Sequence, residues 1–424
     1  MKITIVISII LSLCAISFLV YGNSAVNFTV NAQSYVQTIK YRNLIVDLGN
    51  GLKTNAQLTI PAIGKGPFPG VLLISGSGAN DKNETLGYVH KTGPKPPTPL
   101  WQIAQYLSER GFVVLRYDKR GISANYTINQ NIWANTTIND LIHDAEKALN
   151  VLTMQPEVDP KRISLIGHSE GTVIAPRVAI DNPTKVKNII LMGTVAQNLR
   201  DIVYYQYVNL PSEYATQVLD KNHTGLISIQ QIANAPVLLK FLPLSHSLLR
   251  ANNTKAITAT LGKVFGTSGN ISIDKQVKPL LIKKYENLTA SNPSKCNDAA
   301  GCPALLRSYF NLIPTLSIIG NVSKSTGILL LNGENDSQTT VQQAFLLQQR
   351  LTEVNHPDHT LITYPNLGHV FYPSSQWSTG VGPFEQYVLT DIYAWLEAHS
   401  GLSHSYITIP TSTLGANTTS SSKK

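Results

Sequence analysis

The sequence predicts an α/β fold: one mostly parallel β-sheet with helices on both faces and a helical cap insertion. Three patterns carry that expectation. Continuously apolar runs recur at strand length, stretches with helical apolar spacing alternate with them, and one such strand turns sharply into a helix through Gly-His-Ser-Glu-Gly. Strand–helix alternation of this kind belongs to parallel sheets whose crossovers cover both faces.

The elements follow in order. "TIKYRNLIVDL" and "LKTNAQLTIPA" read as strands joined by a glycine-containing turn between Leu48 and Leu52, hence a hairpin. "FPGVLLISGS" is apolar without alternation, as a strand buried on both faces should be. "PLWQIAQYLSERGF" has apolar residues at helical spacing and a stop at Gly111; "FVVLRYD" is a strand again. "INDLIHDAEKALNVLTMQ" is an amphipathic helix with an Asn or Asp cap expected. "RISLIGH", "EGTVIAPRVAI" and "VKNIILMGT" continue as strand, helix and strand. After a long irregular stretch, "GILLLNG", "TTVQQAFLLQQRL", "HTLITYPN" and "FEQYVLTDIYAWLEAH" complete the alternation.

These elements divide the chain into an export segment at 1–32, a first core part at 33–195, a cap at 196–325, a second core part at 326–402 and a Ser/Thr-rich tail at 403–424. The tail is low in complexity and is expected to be disordered. The cap stretch is helical, irregular and rich in Leu, Tyr and Asn. Its apolar runs, such as "APVLLKFLPLSHSLL", read first as cap core, with a minority left to line a pocket.

Composition narrows the function classes. The 424 residues are 43% hydrophobic and only 14% charged, with a net charge of +9. Asn, Ser and Thr fill much of that gap. Lys and Arg are scattered, with no basic stripe, which excludes a nucleic-acid reader. Lys2 and the apolar run from Ile3 to about Tyr21 predict export, with Val30-Asn31-Ala32 offering a cleavage site. The run also approaches bilayer-spanning length, so a cleaved signal and a retained membrane anchor both stay open. The body is expected to be secreted or held at the outer face of the membrane.

Cysteine usage agrees with export. Cys14 lies in the apolar run, which leaves Cys296 and Cys302 as the body's only pair. The pair is expected to close a small disulfide loop within the cap, the alternative being two free thiols; a zinc site would need more ligands than this region supplies. Asn-x-Ser/Thr triplets at Asn27, Asn83, Asn125, Asn135, Asn222, Asn252, Asn270, Asn287, Asn321 and Asn417 suit a glycosylated exterior.

The chemistry starts at Ser169. Where a buried strand turns directly into a helix, the apex residue is strained and exposed, and the positions two before and two after must be small. Gly167 and Gly171 meet that need. The following helix aims its positive end at the same place. A serine nucleophile needs a base, and the base an orienting acid. Of the ten histidines only His369, in "YPNLGHVFYP", follows a late core strand in a glycine-containing loop at the correct sheet edge. His168, inside the elbow, is expected to pack away from the apex. "GILLLNGENDSQTT" offers Glu334 and Asp336 as the acid; Asp336, further from the strand end, is preferred. The amides of Glu170 and Ser77 are the expected oxyanion donors, the second from the glycine-rich "ISGSGAND" turn. A phosphate-binding reading of that turn fails, since no Gly-Lys-Ser/Thr follows.

With the order Ser169, Asp336, His369, the chain resembles the α/β-hydrolase superfamily over nearly its whole length after the export segment. "GSGANDKNE", "LWQIAQYLSERGFVVLRYDKRGIS" and "IGHSEG" resemble, more narrowly, carboxylesterases related to the serine aminopeptidases. That resemblance implies a triad and a Gly-Ser-Gly oxyanion turn working without metal or cofactor. It implies that Asp118 and Arg120 brace the neighbouring loop and that Asp81 fills an acidic position of the "GSG" loop. Thr172 stands where the group usually has glycine, and Pro176 falls within the elbow helix, where a kink is expected. The function expected is hydrolysis of a small carboxylic ester with an apolar acyl part. A serine aminopeptidase stays open and would need cap carboxylates for the substrate ammonium; Glu213, Asp220, Asp274, Glu286 and Asp298 are the candidates. A non-catalytic binding protein on the same scaffold is the third reading.

Overall fold

The computed structural model describes residues 38–86, 98–123, 127–242, 244, 253–267, 269–290, 303–377 and 382–402. The export segment, the Cys296–Cys302 pair, the tail and the triplets at Asn27, Asn125, Asn252 and Asn417 lie outside them. Among the described residues no helix is long and apolar enough to cross a membrane.

Strands β1 (Ile39–Gly49) and β2 (Leu52–Pro61) form the expected hairpin, and β3 (Phe68–Ile74) follows, buried at every position. Helix α1 (Pro99–Ser108) leads to β4 (Val113–Tyr117), and α2 (Ile138–Thr153) to β5 (Val158–His168). The cap of α2 departs from expectation. Thr137 takes the N-cap and Asp140 closes a reciprocal capping box, so the Asp sits inside the first turn rather than before it. After the elbow come α3 (Gly171–Asp181) and β6 (Val186–Met192); Pro176 lies inside α3, where it removes one intrahelical bond without ending the helix.

The insertion opens with α4 (Leu199–Tyr204) and α5 (Leu210–Tyr214), each followed by a π-helical turn, at Tyr205–Asn209 and Ala215–Leu219. Strand β7 (Leu226–Ser228), α6 (Ile229–Ala233), α7 (Thr254–Phe265), β8 (Asn270–Ser272), α8 (Lys278–Ala290) and α9 (Pro303–Phe310) complete it. The core resumes with β9 (Gly327–Gly333), α10 (Val341–Glu353), β10 (His359–Tyr364) and α11 (Gln386–Ser400).

The main sheet runs β1-β2-β4-β3-β5-β6-β9-β10. Only β2 is antiparallel to its neighbours; the six strands β4-β3-β5-β6-β9-β10 pair in parallel, and β7 and β8 form a separate antiparallel pair. Side chains alternate between two apolar layers. Leu72 and Ile74 point to the layer with α2, α3 and α10; Val71 and Leu73 point to the layer with α1 and α11. Each such fully buried residue contributes about 1.5–3 kcal/mol. The insertion has an apolar cluster of its own around Ile227, Ile232, Leu261, Ile271 and Leu281. Because β3 lies between β4 and β5, the loops leaving the C-terminal ends of these three strands converge at one edge, where open parallel sheets bind ligands.

Candidate active site

Ser169 sits between β5 and α3 with φ +52°, left-handed for a non-glycine residue. That conformation costs about 1–3 kcal/mol and persists only where its surroundings enforce it. They do so here through two glycines. A Cβ on Gly167 would overlap the Gly171 carbonyl, and one on Gly171 would overlap the Ile74 carbonyl of β3. Both glycines are thus needed against backbone carbonyls, Gly171's own among them. The Ser169 amide donates to Met192 O (2.8 Å), tying the apex to β6. Thr172 adds a second tie: its hydroxyl donates to Ser169 O (2.6 Å) and accepts from the Val195 amide (3.0 Å).

The loops after β9 and β10 meet beside this elbow. His369 Nδ1 lies 2.8 Å from Asp336 Oδ2, with both residues buried. Asp336 is itself held: Oδ1 accepts the Gln338 and Thr339 amides (2.8 and 2.9 Å), and Oδ2 accepts the Thr339 hydroxyl (3.0 Å). That hydroxyl also reaches His369 Nδ1 (3.1 Å). Thr339 had no signal in the sequence. Glu334 is turned away, accepting from the Thr363 hydroxyl at 2.9 Å. Of the two acids, the structure brings only Asp336 to His369.

The glycine-rich loop after β3 is gripped from the end of β4. Lys119 Nζ donates to the Gly76 carbonyl and to Gly78 O (3.1 Å), and pairs with Glu170 Oε1 at 2.6 Å. Asp118 Oδ1 accepts the Lys82 amide (2.7 Å), and buried Arg116 donates to the Asn83 side chain. Asp81 caps the same loop by accepting the Thr85 amide at 2.7 Å. Arg120 does not brace this loop. It turns to α2 and pairs with Asp140 (2.7 Å) and Asp144 (2.6 Å), because Lys119 already occupies the inward side. Ser77 and Glu170 both line the cavity onto which Ser169 opens.

His168 corrects the expectation of simple packing. Its Nδ1 lies 2.7 Å from Glu84 Oε1 and its Nε2 3.0 Å from the His369 carbonyl. Glu84 Oε1 also accepts the Gly76 amide (3.1 Å). Burial by itself lowers the His168 imidazole, but the Glu84 carboxylate, the His369 carbonyl and the Asp336 charge outweigh it and hold the ring above the ordinary histidine value. Glu84 and Lys119, both missed from the sequence, are the charged groups that organise this edge.

The cavity at Ser169 measures about 220 Å3. Its cap-side wall is apolar, with Leu199, Ile202, Val203, Leu288, Leu305 and Leu306, and Tyr207 and Tyr309 add aromatic surface. Burial, and then the nearby Glu170 carboxylate, push the Tyr309 phenol well above the usual tyrosine range, so it stays a neutral donor. Glu170 is the only carboxylate among the described lining residues, and Lys119 neutralises it.

Family models agree with this arrangement in two pieces. "Serine aminopeptidase, S33" matches residues 100–235, and "Prolyl oligopeptidase family" matches residues 297–403. The chain is 32% identical to "Esterase EstD" of Thermotoga maritima over 179 residues, 41% of this chain and 39% of that protein. It is 23% identical to "Esterase FrsA" of Yersinia pestis over 172 residues, 39% of this chain and 36% of that protein. The match therefore spans about two fifths of the length of these curated relatives. A hypothetical protein of Pseudomonas aeruginosa aligns in structure with a TM-score of 0.49 and 15% identity, over 86% of this chain and 95% of that one. The sheet order with its single reversed strand, the glycine-flanked elbow and the acid–histidine pair after β9 and β10 meet in one molecule: the chain has the α/β-hydrolase fold.

Proposed function

We propose that this protein hydrolyses carboxylic esters with an apolar acyl part through a covalent acyl-enzyme on Ser169. The observation that carries the reading is the wall of the Ser169 cavity: apolar on the cap side, with its one described carboxylate already paired to Lys119. An aminoacyl substrate would have to bury its ammonium there without a free counter-charge, which costs several kcal/mol. Glu213, Asp220, Asp274 and Glu286 do not line the cavity, and Asp298 lies outside the described residues.

In this mechanism Asp336 holds the Nδ1–H tautomer of His369, leaving Nε2 to accept the Ser169 proton. Serine Oγ bonds to the ester carbonyl carbon, and the carbonyl oxygen takes the negative charge. The Ser77 and Glu170 amides receive that charge. Collapse breaks the C–O bond to the alcohol, which leaves with the proton from His369. Water then gives its proton to His369, attacks the acyl-enzyme and releases the carboxylic acid, and Ser169 regains its proton.

A fluorophosphonate label on the full chain, followed by paired assays on p-nitrophenyl esters and aminoacyl p-nitroanilides, tests the reading. Labelling at Ser169 with ester turnover at least tenfold above anilide turnover is expected. Preferential anilide cleavage would transfer the assignment to the aminopeptidase reading. Absence of labelling would leave the non-catalytic scaffold.

A further inference from the structure

The insertion contains a loop whose spacing has nothing to do with ester chemistry. From Asp220 to Gln231 the sequence is DKNHTGLISIQQ. Oxygen-bearing residues stand at positions 1 (Asp220), 3 (Asn222), 5 (Thr224), 9 (Ser228) and 12 (Gln231), with glycine at 6. This is the spacing of a twelve-residue EF-hand calcium loop, in which position 7 adds its backbone carbonyl, here Leu226. The conformation matches the spacing. Gly225 has φ +74°, and Asp220 folds the loop over itself by accepting the Thr224 amide (3.0 Å) and the Gly225 amide (2.6 Å). Gln231 Oε1 is turned back into the loop, at 2.8 Å from the Ser228 amide.

A second, independent observation lies in the fold around it. Such loops work in pairs, joined by a short antiparallel bridge at position 8 and flanked by helices. Ile227 is position 8, and it pairs antiparallel with Ile271 of β8, both isoleucines being buried. Helices precede and follow each half: the α4–α5 run and α6 for the first, α7 and α8 for the second. Counted from Ile271, the partner loop has Val264 at position 1 and Lys275 at position 12, so it has no cation ligands there. Asp220 is also a carboxylate covered by its own loop, 3% exposed, with no salt bridge among the described residues.

We propose that Asp220–Gln231 is a calcium site, one per chain, in the cap. Five of its six donors are neutral oxygens, and Gln231 replaces the bidentate glutamate. Affinity falls with ligand charge, so a Kd on the order of 10⁻⁴–10⁻³ M follows. The site is joined to the Ser169 cavity by the helices that flank the pair: Leu199, Ile202 and Gln206 of the first run and Leu288 of α8 line it, and Tyr204 meets Tyr285 edge-on at 5.1 Å. Asn222 is also one of the glycosylation triplets, and a sugar there would remove position 3 from the ligand set.

The test titrates the full-length, chelator-treated protein with calcium chloride by calorimetry, with magnesium chloride as the control and no substrate present, so its outcome is separate from the esterase reading. One calcium per chain in the stated range, binding tighter than magnesium, is expected. Gln231→Glu should tighten binding at least tenfold by restoring the bidentate carboxylate, and Asp220→Asn should abolish it. Asp220 shapes its loop, so retained fluorophosphonate labelling of Ser169 checks that this variant is folded. The gain in Gln231→Glu does not depend on that check. No saturation by about 10 mM calcium in the wild type, no tightening in Gln231→Glu, or unchanged binding in folded Asp220→Asn would each overturn the proposal.

Discussion

His168 and Glu84 form a buried pair beside Ser169, 2.7 Å apart, and each partner has a second task. His168 holds the His369 carbonyl, while Glu84 holds the Gly76 amide. Two loops of the site are thus joined through one imidazole: the loop presenting His369 on one side and the glycine-rich turn after β3 on the other. Both ring nitrogens face oxygen acceptors, which is the arrangement of an imidazolium. Glu84 keeps this place at the cost of a left-handed backbone, φ +52°.

The pair makes stability depend on pH in a defined sense. The folded His168 value is raised above its unfolded value, near 6.5. Its stabilisation is therefore complete below about pH 6.5 and is lost as pH rises through the higher folded value. Asp336 and His369 face the ring from the loops after β9 and β10, and Glu84 faces it from the loop after β3. His168→Asn should cost about 3–5 kcal/mol at pH near 6, as removal of one partner of a buried pair does, and clearly less near pH 9. Urea unfolding of wild type and variant at both pH values measures the difference. An equal cost at both would show that the ring is held neutral.

Ser169, Asp336 and Glu334 separate the chemical roles. Ser169 is buried rather than exposed as the sequence predicts. Ser169→Ala nevertheless keeps the Cβ and removes only one hydroxyl, so it should lower ester turnover by at least about 10⁴-fold and leave the melting temperature nearly unchanged. Asp336→Asn should cost about 10⁴-fold, since the amide reverses the tautomer presented by His369. Glu334→Gln should stay within about threefold, because that carboxylate meets only the exposed Thr363 hydroxyl. Severe loss in Glu334→Gln with mild loss in Asp336→Asn would reverse the two acids.

Much of this edge was legible in the sequence because its strands are buried on both faces and so read as unbroken apolar runs; "GILLLNG" coincides with β9. Asp336 and His369 could be reached from chain order and loop position. Glu84, Lys119 and Thr339 could not, since an isolated polar residue in a loop ordinarily reads as solvated. Their partners come from other strands, and the sheet order that places β3 between β4 and β5 is not written locally. The cap read as irregular for a different reason. The π-helical turns at Tyr205–Asn209 and Ala215–Leu219 widen the helix and disturb the 3.6-residue spacing.

Lys119 offers a test of the proposed oxyanion turn that leaves Ser169, Asp336 and His369 untouched. Lys119→Met removes the partner of the buried Glu170 carboxylate and the donor to Gly76 and Gly78. Stability should fall by about 3–5 kcal/mol, from the unpaired charge. In the proposed mechanism the turn meets the substrate mainly as charge develops on its oxygen, so kcat should fall more than KM changes. Adding Glu170→Gln removes the orphaned charge and should recover part of the stability without restoring kcat. A double variant as unstable as Lys119→Met alone would show that the ion pair is not the cause.

The cavity itself predicts a chain-length limit. A void of about 150 Å3 takes the six carbons of benzene, so 220 Å3 takes roughly nine heavy atoms. Each methylene moved from water into this apolar wall gains about 0.8 kcal/mol, at most about fourfold in kcat/KM. Across p-nitrophenyl esters from acetate upward, kcat/KM should therefore climb to an acyl chain of about eight carbons and then fall. Leu306 and Ile202 lie on that wall. Leu306→Phe should move the maximum to shorter chains by taking up volume, and Ile202→Ala to longer ones by releasing it. The two shifts oppose each other, which separates them from a general loss of stability. A profile that peaks at acetate in all three proteins would mean that the acyl group binds elsewhere than in this cavity.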